Sequence, residues 1–178
     1  MDVERTLVLI KPDGVFRSLI GEIISRIERT GLKVVGLKMI SAGDDILEMH
    51  YRLEEEWACE LMEKSRSAAE REGREFPFKD HMEFGASIQE RLKNFLKEGP
   101  VVAIVFSGEH AVEIVRKVVG HTEPRQAIPG TIRGDFVIDS YKIADGEGRA
   151  VRNLIHASSD TKEAEREIAL WFGVKEVF

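Results

Sequence analysis

Ile20, Ile23, Ile24 and Ile27 fall at i, i+3, i+4 and i+7, the spacing of one helical face, and they lie between two short β-branched runs, Thr6–Ile10 and Leu32–Ile40. This order constrains the chain more than any other feature, because a strand, a crossing helix and a second strand must pack as one unit. Pro12 and Gly14 stop the first run, and Gly31 stands where the helix needs a C-terminal cap. The order returns downstream. Val101–Phe106 is a continuous apolar run opened by Gly99 and Pro100, and Ala111, Ile114, Val115 and Val118 form a second stripe ahead of Gly120. Before it, Ile88, Leu92, Phe95 and Leu96 predict another helix, which ends at Gly99. A fourth strand is expected over Phe136–Ile143 and a last helix after Asp160. There Glu163 completes a capping pair, and Ala164, Ile168 and Trp171 keep the helical spacing.

Strands near residues 6, 32, 101 and 136, with helices after the first and the third, make two βαβ-like halves. The expected class is α/β (α+β): a ferredoxin-like split βαβ with a four-stranded antiparallel sheet covered by helices. A simple doubly wound parallel sheet is the competing topology. Residues 1–178 read as a single domain, since a chain of this size buries roughly 70% of its unfolded surface. Two stretches fit this plan poorly and are expected as insertions at about 54–85 and 140–150. Glu54–Lys79 carries Glu54, Glu55, Glu56, Lys64, Arg66, Glu70, Arg71 and Glu72 around Trp57, Leu61 and Met62, the pattern of a solvated helix. Ala144–Ala150 holds Gly146 and Gly148.

Hydrophobic residues make up 43% and charged residues 33% of the chain, the balance of a folded domain. The net charge of −6 speaks against a nonspecific nucleic-acid binder, whose affinity comes from neutralising phosphates. Cys59 is the only cysteine, which excludes an internal disulfide and fits a reducing compartment. No apolar run approaches the ~18 residues that span a bilayer, so the expected location is cytoplasmic, with no membrane partner. Neither GxxxxGK[ST] nor a GxGxxG after a strand is present, so a nucleotide site would have to be built another way.

Asn153–Asp160 (NLIHASSD) is a polar turn that carries His156 just ahead of a helix start, where unpaired backbone N–H groups favour anions. By itself such a histidine is an ordinary hydrogen-bonding residue. Together with Thr6–Val15 (TLVLIKPDGV) and Pro129–Phe136 (PGTIRGDF), the segment resembles the nucleoside diphosphate kinase family, over residues 5–40, 99–136 and 152–172. The resemblance implies a ferredoxin-like fold, a homo-oligomer (usually a hexamer), nucleoside di- and triphosphates as partners, and Mg2+ bound with the nucleotide. It also implies a ping-pong transfer of the γ-phosphate by way of a phosphohistidine at His156.

By the same resemblance Glu167 orients the imidazole, Ser158 holds Glu167, and Tyr51 stands close to the reacting group. Lys11, Arg116 and Arg133 match phosphate-contacting cations, and Thr122 and Asn153 match neutral donors, as phosphoryl transfer requires. The aromatic that stacks on the base falls within the interrupted region, where Trp57, Phe76, Phe78 and Phe84 are all candidates. The chain departs from the family at Ala157 and Ser159, where glycine and aspartate are usual, and in its short tail after Trp171. Because the family's metal is held by phosphates and water, no protein metal ligand is expected. Two other readings are a catalytically inactive relative with an assembly or regulatory role, and an RNA-binding ferredoxin-like module; the latter usually shows exposed aromatics on the sheet. Only Phe106 stands in the strands at 6–10 and 101–106.

Overall fold

The computed structural model describes residues 3–71, 73 and 75–178; Glu72 of the charged stretch lies outside the described residues. The first strand, β1 (Glu4–Ile10), leads through a short helix α1 (Pro12–Phe16) into α2 (Ile20–Glu28) and then β2 (Lys33–Ile40). Three helices follow, α3 (Asp44–His50), α4 (Glu55–Arg71) and α5 (His81–Lys97), before β3 (Val101–Gly108) and α6 (Ala111–Val119). The chain ends through short helices α7 (Ile132–Phe136) and α8 (Tyr141–Gly146), the strand β4 (Ile155–Ala157) and α9 (Thr161–Trp171).

The strands are ordered β2-β3-β1-β4, and each pairing is antiparallel. This is the split βαβ arrangement, and it removes the parallel alternative. The first three strands and the helices after the first and third lie where the periodicity puts them. The fourth does not. Phe136 closes α7, Ile138 is fully exposed at 100%, and the Ser140 hydroxyl accepts from Ile143 N–H at 3.3 Å to start α8. Phe136–Ile143 is rich in strand-forming residues but pairs with no strand among the described residues, and an apolar run becomes a strand only when it pairs. The edge position belongs instead to Ile155–Ala157, three residues too few to show a period.

Both faces of β1 and β3 are covered, which is why their sequences are apolar without alternation. Val8, Ile10, Val102, Ile104 and Phe106 pack with Ile23 and Ile27 of α2 and Val115 of α6. Leu7, Leu9, Ala103 and Val105 pack on the other side with Leu47, Leu96, Ile168 and Trp171. The register pairs His156 with Leu9 and Ile155 with Ile10. Residues directly opposite across a pair share a face, so Ile155 enters the first core while His156 turns toward α3 and α9.

The charged stretch is indeed helical: α4 runs alongside α5, which begins where the Asp80 carboxylate accepts from Glu83 N–H at 2.8 Å. The capping pair before the last helix also forms. Asp160 accepts from Glu163 N–H at 2.8 Å, and the Glu163 carboxylate accepts from Ser159 N–H at 2.6 Å. Among the described residues, no helix is long and apolar enough to cross a membrane.

Candidate active site

The short strand β4 is fixed from the opposite end of the chain. Lys11 N–H donates to Leu154 O at 2.8 Å, and Leu154 N–H donates to the Asp13 carboxylate at 3.0 Å. Leu154 has φ 65, a left-handed backbone that side-chain-bearing residues seldom adopt, and these two bonds hold it there. Burial pushes the Asp13 carboxyl upward against the opposing pull of Leu154 N–H and Lys11. From a third side, Arg133 donates to Asn153 O at 3.2 Å, Ile155 O at 2.6 Å and Gly120 O at 2.9 Å. Gly120 ends α6 at φ 85, where a Cβ would strike the Thr131 side chain. With three of five guanidinium hydrogens spent on carbonyls, Arg133 retains two for another acceptor.

His156 is partly open, 20% exposed at its side chain, whereas Glu167 of α9 is sealed at 1%. His156 Nε2 lies 3.0 Å from both carboxylate oxygens of Glu167. The Ser158 hydroxyl donates to Glu167 Oε2 at 2.7 Å and accepts from Leu7 N–H at 3.3 Å. Burial alone would raise the Glu167 carboxyl, but the charge and hydrogen bond of His156, with His50 and Ser158, bring it down to about 2. Glu167 is therefore an anion that can only accept, and His156 meets it with an Nε2–H. The hydrogen bonds of the His156 ring fall on Nε2 among the described residues, which leaves Nδ1 as a lone pair.

Beside this group the other expected residues gather on one wall. Lys11 Nζ donates to Asn153 Oδ1 at 2.8 Å, and Asn153 Nδ2 donates to Thr122 O at 2.9 Å. Lys11 is 5% exposed; burial, then the charge of Arg133, lowers its ammonium to about 7, with Asp13 opposing. Arg133 is lowered to about 10, chiefly by burial, and Arg116 on α6 adds a second positive charge close enough to contribute. Arg116 and Thr122 are exposed. Cations and neutral donors from β1, α6, α7 and the 120–124 loop thus converge, the composition that polyphosphate oxygens need.

Tyr51 follows α3 and reaches the site through its neighbour: its ring meets His50 edge-on at 4.6 Å, and His50 meets His156 edge-on at 4.7 Å. Burial pushes the Tyr51 phenol above its usual range, with Glu167 adding to the shift. The four base-stacking candidates lie on or beside the α4–α5 pair. Phe84 is buried against Phe76 and Phe78, with ring centroids at 5.1 and 4.9 Å. Trp57 packs against the Gly85 position of α5. His50, Trp171 and Asp13 were not expected from the residue pattern. His50 had a signal, its place beside Tyr51, but one histidine of five at a helix end is ordinary.

His50, His156 and Glu167 bring potential metal-binding atoms within 4.8 Å of one another. Of these, His156 and Glu167 already satisfy each other by hydrogen bonds, and a cation among the three would displace that contact. His156, Glu167 and Ser158 form a hydrogen-bond relay. The wall of Lys11, Arg116, Arg133, Thr122 and Asn153 in turn supplies cations and neutral donors, and the nearby Asp13 carboxylate is occupied by Leu154 and Gly14 N–H groups.

A family model described as nucleoside diphosphate kinase matches residues 4–67 and 55–177. The chain is 48% identical over 181 residues to the nucleoside diphosphate kinase of Pyrobaculum aerophilum, covering 99% of both proteins. This chain belongs to the nucleoside diphosphate kinase family. That of Pyrococcus furiosus is 42% identical over 177 residues, covering 99% of this chain and 88% of that one. Among solved structures, the crystal structure of the Pyrobaculum aerophilum NDP kinase superposes with a TM-score of 0.95 at 46% identity, over 99% of this chain and 100% of that one. The Borrelia burgdorferi nucleoside diphosphate kinase, a transition-state mimic with bound vanadate and ADP, superposes at 0.80 with 36% identity, over 99% and 90%. The two stretches matched by the family model overlap at residues 55–67, inside α4.

Proposed function

We propose that the protein is a nucleoside diphosphate kinase that works by ping-pong transfer through His156. The observation that carries this reading is the pair of 3.0 Å contacts from His156 Nε2 to a buried, ionised Glu167, which leave the Nδ1 lone pair as nucleophile beside a wall of donors. In the first half-reaction Nδ1 attacks the γ-phosphorus of a nucleoside triphosphate. The bond to the β–γ bridging oxygen breaks, and the nucleoside diphosphate leaves with that electron pair. In the second, a terminal β-phosphate oxygen of another nucleoside diphosphate attacks the phosphorus, and the N–P bond returns its electrons to Nδ1.

In this reading Glu167 stabilises positive charge on the ring during transfer, and Ser158 keeps the carboxylate in place. Lys11, Arg116 and Arg133, with Thr122 and Asn153, take the phosphate oxygens, and positioning with charge compensation is most of what this chemistry asks of a protein. Tyr51 closes the site beside the relay. Magnesium enters as part of the nucleotide substrate. The stretches 54–85 and 140–150 are insertions on a single domain, and the working form is a homo-oligomer, a hexamer by the family resemblance.

Incubation with γ-labelled ATP and magnesium tests the chemistry. Wild type takes up an acid-labile label that a second nucleoside diphosphate chases into triphosphate, and His156→Ala takes up none. Absence of label on wild type, or equal label on the variant, overturns the proposal.

A further inference from the structure

Lys11 is 5% exposed, and its ammonium donates to Asn153 Oδ1 at 2.8 Å but makes no ion pair among the described residues. The Asp13 carboxylate is spent on the N–H groups of Leu154 and Gly14. Burial removes the water that would solvate the ammonium, and the charge of Arg133 opposes it. What does lie against it is a ring. Lys11 Nζ stands 5.4 Å over the centroid of Phe95, a residue of α5 that is itself 3% exposed.

An aromatic face carries the negative part of the ring quadrupole and attracts a cation within about 6 Å, most strongly where water is excluded. It differs from a carboxylate in two ways. It has no net charge, so the ammonium keeps its own for an incoming anion, and it has no oxygen to compete with phosphate for the ammonium hydrogens. A second cation shares the ring: Arg152 Cζ also stands 5.4 Å from the Phe95 centroid. Arg152 is already balanced by Glu98 at the end of α5, which accepts from it at 2.7 and 3.1 Å. That pair ties the helix end that carries the ring to the segment that carries Asn153. Lys11 has no carboxylate partner of this kind, so the ring counts for more there.

We infer that Phe95 is a positioning residue for phosphoryl transfer: its ring face, together with Asn153 Oδ1, holds the Lys11 ammonium in place and charged, and leaves its remaining hydrogens to phosphate oxygens. This inference rests on the function proposed above. The charged and titratable groups facing Lys11 are Asp13 from α1, Arg133 from α7 and His50 from α3, with Arg152 on the shared ring. Burial first, then the charge of Arg133, lowers the ammonium to about 7, and Asp13 and the ring work against them. At that value any loss of attraction is read near neutral pH as a loss of the charged form.

Fluorine draws electrons from the ring face and scarcely changes ring size, so replacing Phe95 by its mono-, di- and trifluorinated derivatives weakens the attraction in steps while the packing is kept. Steady-state kcat/KM against pH, with ATP, magnesium and a second nucleoside diphosphate, tests the contact. The trifluorinated protein is expected to have its basic limb moved down by about half a unit and its kcat/KM at pH 8 lowered about threefold, with the other two in between. In a Lys11→Met background the same series is expected to be flat. A series that is flat with Lys11 present, or that falls equally in the Lys11→Met background, overturns the inference, since the ring would then only fill space or serve Arg152. The titration of Lys11, followed by the carbon-13 shift of its Cε in nucleotide-free protein, decides without turnover: a midpoint that drops along the series supports the contact, and an unmoved one overturns it. Absence of turnover in wild type would strike the proposed function instead, and the titration would still judge the contact.

Discussion

The strand that carries His156 is three residues long, and α4, which follows Tyr51, has seventeen. Yet the short element is the more tightly bound. Segment 153–158 is bonded to Glu167 on the next helix and to Lys11, Asp13, Thr122, Arg133 and Leu7, all distant in sequence. Along α4 a typical polar contact is Lys64 with Glu60 at 2.9 Å, one turn apart and with side chains 76% and 60% exposed. Regular hydrogen bonding gives α4 its length, but water competes for everything on its outer face. In the 153–158 segment water has been replaced by fixed partners, and a group placed there keeps one geometry. Precision in this molecule comes from convergent long-range bonds rather than from extent of secondary structure.

The contrast can be broken most severely at Lys11. Lys11→Met is expected to lower kcat/KM by at least about a hundredfold in steady-state assays, because in the proposed mechanism it removes a desolvated cation from the phosphates. The same change is expected to raise stability. The folded pKa of Lys11, about 7, lies below its ordinary 10.5, so between these values the unfolded chain binds the extra proton and stability rises with pH. Below pH 7 both states are protonated and the folded one bears the full burial penalty. Urea unfolding should find Lys11→Met about 1–2 kcal/mol more stable at pH 6, with the gap closing by pH 10.

Arg133→Ala comes next. It is expected to lower kcat/KM by roughly one to two decades and to destabilise the fold by about 3 kcal/mol, since carbonyls of Asn153, Ile155 and Gly120 lose their donor together. A fall in activity without a fall in melting temperature would show that these three bonds are idle. Lys64→Ala marks the other end of the scale. An exposed pair of this kind contributes at most about 0.5 kcal/mol, and neither activity nor melting temperature should move measurably.

The residue pattern carried the sheet core well and its fourth strand badly. Thr6–Ile10, Leu32–Ile40 and Val101–Phe106 are long enough, and buried enough on the faces that pack, for composition to reveal them. Phe136–Ile143 had the composition of a strand but runs from the end of α7 into the start of α8, with Ile138 in solvent. β4 is a strand because Leu7–Ile10 offers it an edge and because Asp13 and Arg133 hold it there, and no local window of sequence contains those partners. The candidate site divides in the same way. His156, Lys11, Asn153 and Arg133 stand in contiguous motifs, so resemblance reached them. His50 and Trp171 become notable only when α3 and α9 are brought together, since the indole N–H then donates to His50 Nδ1.

The bonds that hold Leu154 and Ser158 in place span 141 and 151 residues of chain. Contacts of such separation are late to form, because the loop they close is almost the whole polypeptide and its entropy must be overcome first. A chain emerging from synthesis, or one refolding from denaturant, can complete α2, α5 and α6 from local contacts while His156 is still unplaced. The nucleophile acquires its orientation only when the first thirteen residues and the last thirty find each other. Activity in this protein is therefore a signal of finished folding: a half-built molecule has neither its strained leucine nor its aligned imidazole, and cannot spend nucleotide before the fold is closed.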